Sequence, residues 1–226
     1  MAIKLVAFDW NGTMISDTAA CVRAENMALA AIGFSPLTIT KFQQAFGIPI
    51  VKYFNRLGMT DAFIKKNLQT IEDVYHVNYE KFVKQARTRA GTKTTLRWLH
   101  AQKIERVIYS NHTISKIRSQ LVRLKISHMI DVILAREDHD DETQLFERSK
   151  DKKLSAYAKK HKIKPHEIVS IGDSEEEIEI GKAGGYHTVA ITGGWNSVAR
   201  LKKHKPDFLI HNMKDIIKII KKLNHD

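Results

Sequence analysis

Cysteine is almost absent from this chain of 226 residues: Cys21 is the single one. One thiol excludes an internal disulfide and any cysteine-built metal cluster, and it points to a reducing compartment, most simply a cytoplasm. Long apolar runs are missing as well. No stretch approaches the roughly eighteen uninterrupted apolar residues that a membrane-spanning helix needs, so no membrane role is expected. Proline is scarce, with four residues, and the 43% of hydrophobic residues recur from end to end, which argues against disorder. The opening Met1–Asp9 turns acidic too soon for a secretion signal and reads instead as a first β-strand.

Acidic residues are outnumbered, with 25 Asp plus Glu against 37 Lys plus Arg and a formal charge of +12. The excess is scattered in pairs such as Lys65-Lys66, Lys159-Lys160 and Lys221-Lys222. No arginine-rich arm, zinc-finger spacing or basic–aromatic repeat gathers it, so a dedicated nucleic-acid face is not expected. A generally basic surface that also attracts small anions is the reading.

What is there in abundance is alternation of strand and helix. Ile3–Phe8 is apolar except for Lys4, as a parallel strand covered on both faces requires. Residues 15–88 carry only helical patterns, around 18–32, 39–45, 50–57 and 61–86, punctuated by Gly33, Gly47-Ile48-Pro49 and Gly58. After Gly91 the pattern changes to helices near 92–102, 115–124, 150–161, 176–183 and 213–223. Strands intervene near 106–110, 130–135, 168–171, 187–191 and 207–210, and 136–149 reads as a loop or short hairpin. Such a βαβ period predicts an α/β protein with a Rossmann-like parallel sheet. The expected domains are a core of 1–14 and 89–226 and an inserted all-helical cap of 15–88.

Strands of an open parallel sheet present ligands beyond their carboxyl ends. Three of the expected strand ends are polar: Asp9-Trp10-Asn11-Gly12-Thr13, Ser110-Asn111 and Gly172-Asp173. If these strands are neighbours, Asp9 and Asp173 converge, and two carboxylates with carbonyl and water oxygens suit Mg²⁺. Asp9 could then attack phosphorus and form an acyl-phosphate. Ser110, Asn111, the main-chain N–H groups of Trp10 to Gly12 and one lysine would hold the phosphate oxygens. Taken alone, Asp9 is equally a polar strand end; the matching ends at Ser110 and Asp173 favour chemistry.

These motifs resemble the haloacid dehalogenase superfamily, in its phosphoglycolate-phosphatase-like branch with a small helical cap. Its first motif, Asp-x-Asp-Gly-Thr, stands here as Asp9-Trp10-Asn11-Gly12-Thr13; the second matches Ser110, and the fourth matches Gly172-Asp173 with Glu177 four residues on. Ala183-Gly184-Gly185 and Thr192-Gly193-Gly194 add to the likeness. The resemblance implies Asp9 as nucleophile and metal ligand, the Asn11 main-chain carbonyl and Asp173 as further Mg²⁺ ligands, and Glu177 in a supporting position. It also implies a phosphate-binding lysine, for which Lys150 and Lys153 compete. The expected function is Mg²⁺-dependent hydrolysis of a small phosphorylated metabolite, by a monomer or a dimer. Phosphoglycolate, sugar phosphates and nucleotides are all open as substrates.

Asn11 departs from the pattern. In the family an aspartate there protonates the leaving oxygen and later activates water, a contribution of roughly 10²–10⁴-fold. Its loss predicts a slow phosphatase, or a proton supplied by water or by a residue such as His76, His112 or His139. It equally fits a weakly catalytic phosphate-binding or protein-interaction module. Trp10 resembles the phosphonatase branch, whose chemistry needs a cap lysine such as Lys41, Lys52, Lys65 or Lys66. A dehalogenase would not need the metal-site pattern. Lys52 and Arg56, beside Gly47-Ile48-Pro49, are the expected cap contacts to a second anionic group of the substrate, though both also fit a solvated helix face.

Overall fold

Leu5–Phe8 (β1) is buried at every position, and its alternate residues feed opposite faces. Leu5 and Ala7 pack with Val107, Leu154 and Ile180, whereas Val6 and Phe8 join a larger cluster with Leu96, Ile108 and Ile216. Both faces of the strand therefore need apolar side chains, which is why the run is continuous and not alternating. The computed structural model describes residues 2–137 and 150–225. Five further strands join β1: Glu105–Thr113 (β2), Val132–Arg136 (β3), Ile168–Gly172 (β4), His187–Ile191 (β5) and Phe208–Ile210 (β6). All pairs are parallel, and the order is β3-β2-β1-β4-β5-β6.

That order places a topological switch at β1. The chain builds outward to β2 and β3 on one side, then returns to β4 on the other. Phe8 is in register with Ile108 of β2 and Ile171 of β4. Asp9, Ser110 and Asp173 thus lie one or two residues beyond one register line on three adjacent strands. A crevice outside the strand ends at such a switch is where this architecture binds ligands.

Between β1 and β2 run Thr18–Ala31 (α1), Ile39–Ala45 (α2), Ile50–Arg56 (α3), Asp61–Phe82 (α4) and Thr92–Ala101 (α5). α4 starts at Thr60, whose hydroxyl accepts from the Phe63 N–H, and Asp61 sits in its first turn. The chain leaves for α1 and returns from α4 side by side: Ile15 bridges Thr88, Ser16 N–H donates to Arg87 O at 2.8 Å, and Arg89 N–H to Met14 O at 3.0 Å. Helices Ile114–Leu124 (α6), Lys150–Lys160 (α7), Glu175–Gly184 (α8), Val198–Lys203 (α9) and Asp215–His225 (α10) complete the layers. None of the described helices is long and apolar enough to cross a membrane.

The architecture is the expected α/β one, with local differences. β2 does not stop at Ser110 but runs to Thr113, because the chain bulges between Tyr109 and Thr113 and re-pairs Thr113 with Arg136. β3 starts at Val132, two residues later than expected, after a short 3₁₀ turn at Ser127–Met129. α9 was not foreseen: it is six residues long with only Leu201 buried, too short to show a period. The expected loop or hairpin of 136–149 falls, from residue 138 onward, outside the described residues, as does His139.

Candidate active site

Lys150 opens α7 and is followed at i+4 and i+8 by Leu154 and Ala158, all three buried. The helix face that anchors α7 to the sheet therefore carries an ammonium at its first turn, and that ammonium is pressed against the strand ends. Lys150 Nζ stands 3.3 Å from Asp9 Oδ1 and 2.8 Å from Glu176 Oε2, and it pairs with Glu177 Oε1. The Tyr109 ring lies 5.3 Å from it. Lys153 sits off this face and donates to the Ala135 carbonyl at 2.5 Å. Helix phase thus separates the two lysines: Lys150 meets Asp9, and Lys153 ties α7 to β3.

Asp173, just beyond β4, is held from two sides. Its Oδ1 accepts from the Thr13 hydroxyl at 2.9 Å and its Oδ2 from the Trp195 N–H at 2.5 Å. The loops around it approach too closely for side chains: a Cβ on Gly12 would lie 2.1 Å from Asp173 Oδ2, and one on Gly194 1.9 Å. Gly12 also has φ +70°, a conformation that favours glycine. Glu177 accepts from Ser174 N–H at 3.0 Å and Ser174 Oγ at 2.6 Å through Oε2, which leaves Oε1 for Lys150. This is a capping box that also positions a carboxylate.

The electrostatics are unbalanced. Asp9, Asp173, Glu176 and Glu177 are 7%, 2%, 2% and 3% exposed, gathered about the ammonium of Lys150. Burial pushes the Asp9 carboxyl well above the usual carboxylate range; Lys150 opposes this, and Glu177, Asp173 and Glu176 add to it. Burial and then Glu177 push Asp173 up to about 7, against the Trp195 N–H and the Thr13 hydroxyl. Burial disfavours the Lys150 ammonium, but Glu176, Glu177 and Asp9 outweigh it and hold its pKa well above the lysine range. Four buried carboxylates so close together favour a further cation among them. No described group of three His, Cys, Asp or Glu is arranged to hold a metal on its own. Two aspartates with a main-chain carbonyl, the rest being water or substrate oxygen, is the kind of set that Mg²⁺ accepts, so the residues present fit that ion.

Asn11 is braced by residues that the sequence did not single out. Its Nδ2 donates to Asp17 Oδ2 at 2.7 Å and to the Tyr79 hydroxyl at 2.6 Å, and that hydroxyl donates to Asp17 Oδ2 at 2.7 Å. Asp17 Oδ1 accepts from the Gly12 N–H at 2.6 Å. Arg89 donates to Gly12 O at 2.7 Å and to Thr192 O, pinning two loops together. Asp17 stood four residues past Thr13 as a visible acid. Tyr79 and Arg89 gave no local signal, since their partners lie 68 and 77 residues away.

The remaining expected site residues are placed as follows. Ser110 is 3% exposed, and its Oγ accepts from the His112 N–H at 3.2 Å. Asn111 donates to Glu176 Oε2 at 2.9 Å. The Trp10 side chain is wholly buried, with its indole N–H donating to Gln120 Oε1 at 2.6 Å, so only its main chain belongs to the loop. A cavity of about 420 Å³ opens on Asp9, Ser110, Lys150 and Asp173 and extends toward α1, α3 and α4. Neither Lys52 nor Arg56 lines it. Lys52 is exposed, and Arg56 turns to the Ala45 carbonyl at 2.9 Å and to Glu175 at 3.5 Å; of that segment, Ile48 reaches the cavity. Lys41, Lys65 and Lys66 do not line it either. His76 and His112 do, but burial lowers the His112 pKa to about 4, so it is uncharged at neutral pH.

The sequence model of the haloacid dehalogenase-like hydrolases matches residues 6–191. The chain belongs to this family. Its resemblance to the phosphoglycolate-phosphatase-like branch is borne out by relatives that span nearly all of it. A phosphoglycolate phosphatase of Aliivibrio fischeri is 21% identical, the match covering 96% of each chain. A pyrophosphatase of Oceanobacillus iheyensis is 25% identical over 97% of this chain and 98% of its own. The fold is shared with a haloacid dehalogenase-like family hydrolase of Streptococcus pneumoniae, at a TM-score of 0.78 and 18% identity over 96% of this chain and 98% of that one. The family member described here keeps the aspartates of both strand ends and replaces the second aspartate of the first motif by Asn11.

Proposed function

We propose that this hydrolase is a Mg²⁺-dependent phosphoric monoesterase that passes the phosphoryl group of a small phosphorylated metabolite to Asp9 and then to water. The observation that carries the reading is Lys150, which reaches Asp9 across 141 residues of sequence, beyond a strand whose neighbour leads into Asp173. Bound Mg²⁺, held by Asp9, Asp173 and the Asn11 carbonyl with Glu177 in support, would neutralise phosphate charge and ease the approach of an anionic nucleophile. An Asp9 carboxylate oxygen forms the bond to phosphorus while the ester oxygen leaves with its electron pair. Ser110 Oγ, the main-chain N–H groups of residues 10–12 and Lys150 stabilise the non-bridging oxygens. Water then attacks phosphorus, freeing Asp9 and inorganic phosphate. We take residues 15–88 as a cap that shuts the cavity against water during these steps, over a core of 1–14 and 89–226. The single, buried Cys21 suits a cytoplasmic setting.

Asn11 cannot protonate the departing oxygen, so turnover should depend steeply on the leaving group. The test is phosphate release from 4-nitrophenyl phosphate and a panel of phosphate metabolites, with and without Mg²⁺, beside an Asp9→Asn control. Metal-dependent, Asp9-dependent release supports the reading. No such release from any ester favours the second reading, a phosphate-binding or protein-interaction module, for which the engaged amide of Asn11 speaks. The phosphonatase reading has no support from the cavity, which none of its candidate cap lysines lines.

A further inference from the structure

The cavity has two unlike halves. The half at the strand ends holds Asp9, Ser110, Lys150 and Asp173. The half toward the inserted helices is walled by Phe42, Phe46, Ile50, Phe54, Leu68 and Ile71. Trp195 closes it against Phe46, the rings meeting edge-on with centroids 4.7 Å apart. Into this wall α1 brings Glu25, which is 5% exposed; the Tyr53 hydroxyl stands beside its carboxyl, and its Oε1 is buried without a hydrogen-bond partner, while Glu72 of α4 lines the same half. Among the described residues, the lysines and arginine that line the cavity lie at its strand-end side, and His76 lines it from α4. Lys116 pairs with Glu80 at 2.9 Å, Arg136 lies opposite Thr113, and Lys150 is held among Asp9, Glu176 and Glu177.

Building on the hydrolase reading for where the phosphate sits, we propose that the leaving group is an apolar, ring-sized alcohol or phenol. It carries a hydrogen-bond donor for Glu25 and no second anion. An apolar cavity of about 150 Å³ accepts a benzene ring, so 420 Å³ takes a phosphate and a ring together. A buried carboxylate oxygen lacking a partner is costly, and a hydroxyl or ammonium on the ligand satisfies it. Above about pH 7, where Glu25 has lost its proton, a carboxylate in the same place would face a like charge in an apolar wall, uncompensated, which selects against it. Phosphoglycolate carries such a carboxylate and is disfavoured on this ground.

Three esters separate the possibilities: phenyl phosphate, 4-(2-aminoethyl)phenyl phosphate and 4-carboxyphenyl phosphate. Their dissociation constants are measured calorimetrically at about pH 8 on the Asp9→Asn variant, which leaves them intact, and their kcat/KM at the same pH on the unmodified enzyme with Mg²⁺, so that Glu25 is ionised throughout. The aminoethyl ester should bind tightest and the carboxyl ester weakest, about ten-fold or more apart, with the difference carried in KM. Glu25→Gln should shrink the aminoethyl advantage over the phenyl ester, and Leu68→Lys should improve the carboxyl ester. Equal or tighter binding of the carboxyl ester, or of phosphoglycolate, overturns the assignment whether or not the variants fold, since the order is read with residue 25 intact. The expected binding order with no Asp9-dependent turnover would refute the hydrolase reading and keep the ligand class. Turnover with the order reversed would do the opposite.

Discussion

Replacing Asn11 by aspartate returns the missing proton donor to the first motif, and the structure sets its terms. The Asn11 amide now donates to Asp17 Oδ2 at 2.7 Å and to Tyr79 at 2.6 Å. An aspartate there puts two carboxylates at that spacing. At an effective dielectric of about 20 their repulsion is about 6 kcal/mol, more than this network tolerates, so one of the two keeps its proton. A shared proton beside the leaving oxygen is what general acid catalysis needs. The expected gain is about 10²-fold in kcat, the lower end of the range for such a group, because Asp17 competes for the proton. It should appear with alkyl phosphates and nearly vanish with 4-nitrophenyl phosphate, whose leaving group needs no protonation. Asn11→Asp with Asp17→Asn reverses the polarity of the bond without adding a charge, and it should recover the stability lost in the single variant. Steady-state release of phosphate with Mg²⁺ over a series of leaving groups measures the effect. An unchanged dependence on the leaving group, with Asp9→Asn still inactive, would refute the assignment of Asn11 as the missing acid.

Lys150→Met strips the ammonium from Asp9, Glu176 and Glu177 and should destabilise the fold by about 3–5 kcal/mol in chemical denaturation. Lys153→Met removes a hydrogen bond to one carbonyl and should cost about 1 kcal/mol; comparable losses would contradict the placement of the two lysines. Glu25 is raised by burial from 4.5 to about 7, so the folded state holds its proton where the unfolded chain has lost it. Stability should therefore fall as pH rises from about 4.5 to 7, by about 3 kcal/mol, and Glu25→Gln should flatten that slope. Gly12→Ala sets a Cβ 2.1 Å from Asp173 Oδ2 at φ +70°. Beyond about 1–3 kcal/mol of backbone strain, it should displace Asp173 and reduce the rise in Tm that Mg²⁺ produces, as thermal scans with and without the ion would record.

The sequence by itself determined the strands, the parallel sheet and the three polar strand ends, because each is written in a local pattern. A continuous apolar run such as Leu5–Phe8 satisfies a strand covered on both faces, and a motif such as Asp9–Thr13 occupies consecutive positions. Tertiary structure alone decided the rest, because those contacts join residues far apart in the chain. Lys150 was set against Asp9, and Lys153 against the Ala135 carbonyl, by the phase of α7 against the sheet, and Asn11 was tied to Tyr79 across 68 residues. Arg56 was drawn to Glu175 and two carbonyls, away from the cavity, whereas the buried wall around Glu25 drew on α1, α3 and α4 together. No local period encodes which charges face one another after the chain closes, since that depends on how whole elements pack.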